Sequence, residues 1–346
     1  MLPWKMRTSI VCLFVALAFA SCEKVIMPET KSKKPSAVFE ELWSTLDEGD
    51  SLFDQKKLRW DSVHMKFQPL IYDSMTSRQL YDTVYKMLVK LNDPLVVLNA
   101  GFTQTNFDNR YKYPANFDRL LLERNYWKNC EKTGPFIHTI IDSIGYVYYE
   151  SFDQEVTEEQ LNLVIERFRN VNLKKGTIID IRGNKGGNIN NAFTILSKID
   201  IPDELLNTTT LLYSIAYKNG PKHDQFTKTQ DNWLKESEGD KFVGDVVILT
   251  NRDNRGTAAL FASGGKSFAN AKVMGDTTMG YSGPLSGYEL SNGWTIHYPS
   301  ALVFTADGRS MMNGVPPNEV VQMKPDEIAQ GKDAILEAAL VELNKE

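Results

Sequence analysis

The spacing of apolar residues changes character along the chain. Between residues 37 and 92 it is helical: Leu80, Val84, Met87, Leu88 and Leu91 recur at a 3.6-residue period and make one apolar face. Thr76 and Gln79 precede that face as a capping box, each side chain able to satisfy a free amide of the first turn. Pro94 ends the helix, because it has no amide to donate and disfavours helical geometry in the residue before it. Residues 95–143 show no clear period. Short strands and loops are expected there, packed by Phe102, Phe107, Tyr111, Tyr113, Phe117, Tyr126 and Trp127.

From Ile144 onward, strands alternate with helices. Strands are predicted at Gly145–Phe152, Thr177–Arg182, Leu206–Tyr217, Val243–Asn251 and Lys272–Gly275, and helices at Asn190–Ile199 and Thr257–Ser263. The second of these strands is a continuous apolar run, as expected for a parallel strand buried on both faces. Gly287–Leu290 and Trp294–Tyr298 flank Ser291-Asn-Gly293, a hairpin signal. A closing helix is predicted over Asp326–Leu343, with Ile328, Ile335, Leu336, Ala339 and Leu343 on its apolar face. The pattern predicts an α/β fold with a helical region at 37–94, a connecting region at 95–143 and a core domain at 144–346.

The first residues read as an address. Lys5 and Arg7 precede an apolar run from Ile10 to Phe19, and Ala20-Ser21-Cys22 follows. The run is shorter than the roughly 20 residues that span a bilayer, and its flanks are those of a cleaved signal. The small pair before Cys22 resembles a bacterial lipobox, which implies a signal peptide over 1–21, lipid on Cys22 and a polar tether over 22–36. The expected location is the bacterial cell envelope, on the membrane. Cys12 leaves with the leader, so Cys130 is the one remaining thiol, too few for an intramolecular disulfide or a metal site.

Composition adds limits. The chain has 346 residues, 42% hydrophobic and 24% charged, a globular balance that allows about two domains. Its net charge is −5, and loss of Lys5 and Arg7 makes the mature chain more acidic still. No basic stripe remains for phosphates, so nucleic acid is not an expected partner. No cofactor or metal is implied.

Three strings carry candidate chemistry. Asp180-Ile-Arg-Gly-Asn-Lys-Gly-Gly187 sits between a buried strand and a helix, where glycines free backbone amides to face an oxyanion. Its glycine spacing does not fit a dinucleotide fingerprint. Val246 to Ala262, with Asn251-Arg-Asp-Asn-Arg-Gly-Thr257 at its centre, is again strand, turn and helix. Val273 to Gly283 is the third, followed by Ser291-Asn-Gly-Trp294 and Asn313-Gly-Val-Pro-Pro-Asn318. In this order the set resembles the C-terminal-processing, or tail-specific, serine peptidases, especially their bacterial lipoprotein branch. Trp43, Phe53, Trp60-Asp61, Leu91-Asn-Asp93 and the closing Gly331–Leu340 string fit the same family. The resemblance implies a small helical domain before a crotonase-like α/β core. Residues 95–143 are too few for the peptide-binding PDZ domain that many members carry.

Carried over residue by residue, the family's positions hold unexpected side chains. The serine nucleophile falls on Gly256, the lysine base of one branch on Tyr281, and the histidine base of the other on Leu95. Met311-Met312-Asn313 stands where a glutamate is usual, and Asn318 replaces an aspartate. A serine hydroxyl needs a base beside it to attack a carbonyl, so these positions act as a unit. Thr257, Ser263, Ser267 and Ser282 are the hydroxyls nearby in sequence, while His138, His223 and His297 fall at no family base position.

The implied cradle comprises Gly183, Asn184, Gly186, Gly187, Gly256, Thr257, Tyr281 and Ser282, with amides near Gly183 and Thr257 as the oxyanion donors. It has two readings: a site that still holds a peptide carbonyl or C-terminal carboxylate, or a turn that merely needs its glycines. Tyr281 either donates a hydrogen bond to a bound peptide or fills the space of the missing lysine. The function expected is a pseudopeptidase lipoprotein that binds peptide or unfolded polypeptide. An active serine-type peptidase with a rewired nucleophile and a glycan-binding lipoprotein are the alternatives.

Overall fold

In a computed structural model, the structure describes residues 31–105, 113–171, 173, 175–200, 209–235, 239–281 and 283–345. The expected leader and most of the tether, with Cys22, lie outside these residues, as do Phe107, Tyr111 and Ser282.

The chain forms two compact units, discontinuous in sequence. In chain order the helices are α1 (Pro35–Gly49), α2 (Phe53–Lys56), α3 (Trp60–Phe67), α4 (Ser77–Leu88), α5 (Arg119–Asn125), α6 (Glu158–Asn170), α7 (Ile189–Leu196), α8 (Thr257–Gly265), α9 (Pro325–Ala329) and α10 (Ala334–Glu342). The strands are β1 (Val97–Asn99), β2 (Glu131–Thr133), β3 (Phe136–Ile141), β4 (Ile144–Tyr149), β5 (Gly176–Asp180), β6 (Thr210–Tyr217), β7 (Gln230–Leu234), β8 (Asp245–Thr250), β9 (Ala271–Gly275), β10 (Leu285–Glu289), β11 (Thr295–Pro299), β12 (Ala301–Thr305) and β13 (Glu319–Val320).

The smaller unit holds α1, α3 and α4 with a short sheet in which β11 lies between β1 and β10. The capping box forms as its spacing predicts: the Thr76 hydroxyl accepts from the Gln79 amide at 3.3 Å, and the Gln79 side chain accepts from the Thr76 amide at 2.9 Å. Leu80, Val84, Met87 and Leu88 are buried. The start of the described chain is pinned here too. Lys31 pairs with Glu41 at 2.9 Å, and Glu41 also accepts from the Ser291 amide at 2.8 Å. Burial would raise the Glu41 pKa, but the Ser291 amide and Lys31 together pull it down to about 2.

The larger unit is built on a seven-stranded sheet in the order β13-β9-β8-β5-β4-β3-β2, parallel from β13 to β4 and antiparallel beyond. Alternating residues serve its two faces. Val147, Ile179 and Ile248 face one core with α6, α7 and α8; Tyr146, Ile178 and Val247 face a second with α5 and α10. A separate antiparallel sheet, β12-β6-β7, joins the first core through Leu212, Ile215 and Val303. The result is the mixed α/β architecture that the periodicity predicts.

Four details differ from the pattern. The large sheet begins at Glu131 rather than Ile144, because β2 and β3 form a hairpin that pairs with β4. Residues 119–125 are helical where strands and loops are expected, since Asp118 caps them by accepting the Leu121 amide at 3.1 Å. The closing helix is two helices, because Asp333 starts a new one by accepting from the Leu336 amide. Strands β7, β12 and β13 and helix α6 have no counterpart in the predicted set. Between Tyr113 and Ile144 the described residues form α5, β2 and β3, with no separate β-domain.

Candidate functional site

Three chain segments meet at the carboxyl ends of the central parallel strands. They are the loop after β5 (residues 181–188), the turn between β8 and α8 (251–256), and residues 279–281 after β9. The Gly256 amide donates to Gly280 O at 3.0 Å, and Met279 donates to Asn254 O at 2.8 Å, which fixes the third segment against the second.

Three buried asparagines lock the first two segments together. Asn254 Nδ2 donates to Ile181 O at 2.5 Å and to Asn184 O at 3.1 Å, while its Oδ1 accepts from the Asn251 amide at 2.8 Å. Asn251 Oδ1 accepts from the Gly183 amide at 3.0 Å. Asn184 Oδ1 accepts from the Gly186 amide at 2.9 Å, and its Nδ2 donates to Tyr149 O at 3.1 Å. All three side chains are fully buried, where an unmade hydrogen bond would be costly.

A charged knot lies beneath. Arg182 makes a bidentate pair with Asp180 (2.9 and 2.7 Å) and reaches Asp333 at 2.9 Å, all three wholly buried. Burial opposes the guanidinium charge, but the two carboxylates outweigh it and its pKa is raised. Tyr146 donates to Asp180 at 2.9 Å, and its own pKa is raised by burial and by that carboxylate. The knot ties the end of β5 to the start of α10.

What the cradle offers is backbone. The amides of Gly187 and Thr257 have no acceptor among the described residues, and Thr257 Oγ1 donates to Gly187 O at 2.5 Å, holding the two loops in contact. Gly187 has φ +138°, and a Cβ there would sit 2.3 Å from backbone atoms of Phe152 and Asp153. Only glycine fits so close an approach. Gly256 differs. Its φ of +56° and ψ of −126° also disfavour a side chain, yet a Cβ built on it meets nothing within 4 Å among the described residues. Open space therefore faces the start of α8, a nine-residue helix whose amino end favours negative charge.

Two of the expected site residues play other parts. The Gly183 amide is not a free oxyanion donor, because Asn251 occupies it; Gly187 supplies the open amide instead. Asn184 is buried and spent on the backbone, so it faces no ligand. Gly186 sits over the start of α8, next to the Thr257 amide. Tyr281 packs against the main core; burial and the nearby Tyr217 raise its pKa. Tyr213 is pushed up to about 12, by burial first and then by Tyr281 and Tyr217. Leu95 belongs to the smaller unit, its amide donating to Asp93 Oδ1 at 2.8 Å. The bracing roles of Asn251 and Asn254 escaped the sequence reading, although both stand in the second string.

The remaining candidate groups are dispersed. Ser267 donates to Leu211 O at 2.9 Å. His138 is buried in β3 beside Thr133, its pKa lowered by burial, and His223 stacks on Phe53 at 4.7 Å. Cys130 is exposed. Among the described residues, no cluster of His, Cys, Asp and Glu could hold a metal ion, and no helix is long and apolar enough to cross a membrane.

Strand–glycine turn–helix units thus meet over a parallel sheet, and the chain belongs to peptidase family S41, whose model matches residues 143–321. Carboxy-terminal processing protease CtpA of Bacillus subtilis is 29% identical over 167 residues, 48% of this chain and 32% of CtpA. CtpB of the same organism is 23% identical over 207 residues, 59% of this chain and 39% of CtpB. The chain thus matches only about a third of the length of these curated relatives. A solved structure from Parabacteroides merdae, described as a peptidase, superposes with a TM-score of 0.84 at 30% identity, covering 91% of this chain and 98% of that one. The photosystem II D1 C-terminal processing protease shares the fold, with a TM-score of 0.54 at 14% identity over 88% of this chain and 99% of its own.

The asparagine brace generates a stability prediction. Asn254→Ala strands two buried carbonyls and one amide, at about 1–3 kcal/mol each before relaxation. Urea denaturation should show a loss of about 2–4 kcal/mol, against about 1 kcal/mol for Thr257→Val, which removes a single bond. Equal losses in the two variants would contradict the brace.

Proposed function

We propose that this chain is a catalytically silent member of its family, which holds polypeptide in the cradle without cutting it. The observation that carries this reading is Gly256. It stands at the head of α8, where the resemblance places the nucleophile, with open space before it and no side chain to attack with. Tyr281 and Leu95 at the two base positions point the same way. The amides of Gly187 and Thr257, at the amino end of α8, suit a peptide carbonyl or a C-terminal carboxylate. Thr257 is a poor substitute nucleophile, since its hydroxyl is already donated to Gly187 O.

We also propose that the mature chain begins at Cys22 and is held by lipid in a bacterial envelope. Several acyl chains suffice for stable anchoring where one gives only marginal binding. Membrane fractionation should find the protein in the pellet, and Cys22→Ser should move it to the soluble fraction. An unchanged distribution would remove the anchor.

Silence has its own test. A fluorophosphonate probe, which labels only activated hydroxyls, should leave the protein unmodified. Gly256→Ser should fold, with strain of about 1–3 kcal/mol from its backbone angles, and remain inactive because no base accepts its proton. Gly256→Ser with Tyr281→Lys is the variant expected to gain labelling and peptide cleavage. The burial that raises the Tyr281 pKa would lower that of a lysine, favouring the neutral base. Robust cleavage by the unmodified protein, abolished by Thr257→Ala, would establish a rewired active enzyme instead.

A further inference from the structure

Helix α8 has a second neighbour besides the cradle. Its last turn borders a cavity of about 510 Å³. From Thr257 at the cradle to Ser263, the first α8 residue at the cavity, six steps of about 1.5 Å put roughly 9 Å of helix between the two, so the cavity is a separate place in the same unit. Its volume is in the range of pockets that enclose small organic molecules, about 300–1,000 Å³.

The cavity is mixed in character. Leu211, Phe268 and Val315 make its wall apolar. Ser263, only 4% exposed, also lines it, and its hydroxyl makes no hydrogen bond among the described residues. That hydroxyl is available to a polar atom of a ligand in the cavity. Lys266 lines the cavity as well, and it lacks a carboxylate partner among the described residues. Its ammonium donates one hydrogen to Pro316 O at 2.7 Å, which leaves two for another acceptor. The neighbouring cation is already matched, because Arg309 pairs with Asp307 at 2.6 Å. Asp200, also at the cavity, makes no ion pair with Lys266. Burial first, and then Arg309, press the Lys266 pKa down, with Asp307 only partly opposing.

We propose that this cavity binds a small organic carboxylate, with its apolar body against Leu211, Phe268 and Val315 and its carboxylate on Lys266. A free acid and the last residue of a polypeptide share that chemistry. The ligand's polar atoms reach the Ser263 hydroxyl, and the Lys266 ammonium gains the counter-charge it lacks.

Isothermal titration of the full chain with N-acetyl-leucine tests this directly. Binding is expected, at least tenfold weaker for N-acetyl-leucinamide, which keeps the apolar body and loses the charge. Lys266→Met should weaken the acid tenfold or more. Ala306→Trp, an exposed position at the cavity that tolerates bulk, should abolish binding with the circular dichroism of the protein unchanged. Competition by an Ala-Ala-Ala-Leu peptide with a free carboxyl end would support the proposal and identify a polypeptide terminus as the source. Failure of that peptide, with the acid still bound, would support it with a free acid as the ligand. Equal affinity for acid and amide, indifference to Lys266→Met, or no binding of the acid at millimolar concentration would overturn it.

Discussion

Everything at the site depends on how two loops, some seventy residues apart in sequence, are held edge to edge. A loop that turns back over a sheet exposes backbone groups that neither strand nor helix satisfies, and burying them unpaired would be prohibitive. Here Asn254, Asn251 and Asn184 supply the missing partners, and each uses both ends of its amide, Asn251 Nδ2 donating to Ala115 O at 2.9 Å. An asparagine presents a donor and an acceptor on one rigid plane, so one side chain can serve a carbonyl of one loop and an amide of another. Neither aspartate nor leucine of similar size could do both.

That brace explains which groups stay open. Once the side chains have taken the amides of Gly183 and Gly186, the amides of Gly187 and Thr257 are left without an acceptor among the described residues. The Asp180–Arg182–Asp333 knot ties the strand end beneath to the start of the closing helix. Scaffold and chemistry are separable in such an arrangement. The brace maintains the shape of the cradle whether or not residue 256 carries a nucleophile.

Much of the fold was legible in the chain because its signals are local. The capping box at Thr76, the buried run of β5 and the turn at Ser291 each follow from neighbours in sequence. Helix α5 and the break in the closing helix turn on single capping residues, Asp118 and Asp333, whereas the missed strands depend on partners far away. Strand β12 follows Pro299 directly and owes its place to β6, more than eighty residues earlier. The same holds for the site. Gly183 looks like an oxyanion donor until Asn251 is seen to occupy its amide, and Asn184 looks like a ligand until it is seen to be buried. The roles of glycines and asparagines in a braced loop are set by three-dimensional pairing, which residue type alone does not reveal.

The central claim is binding without cleavage at one pair of amides. It is tested most directly by recording backbone amide resonances while an unfolded, disulfide-free polypeptide is titrated in, followed by mass spectrometry of that polypeptide. The account predicts saturable shifts centred on the amides of Gly187 and Thr257 and full recovery of intact polypeptide after prolonged incubation. Shortened fragments, or shifts confined to residues away from those two amides, would contradict it.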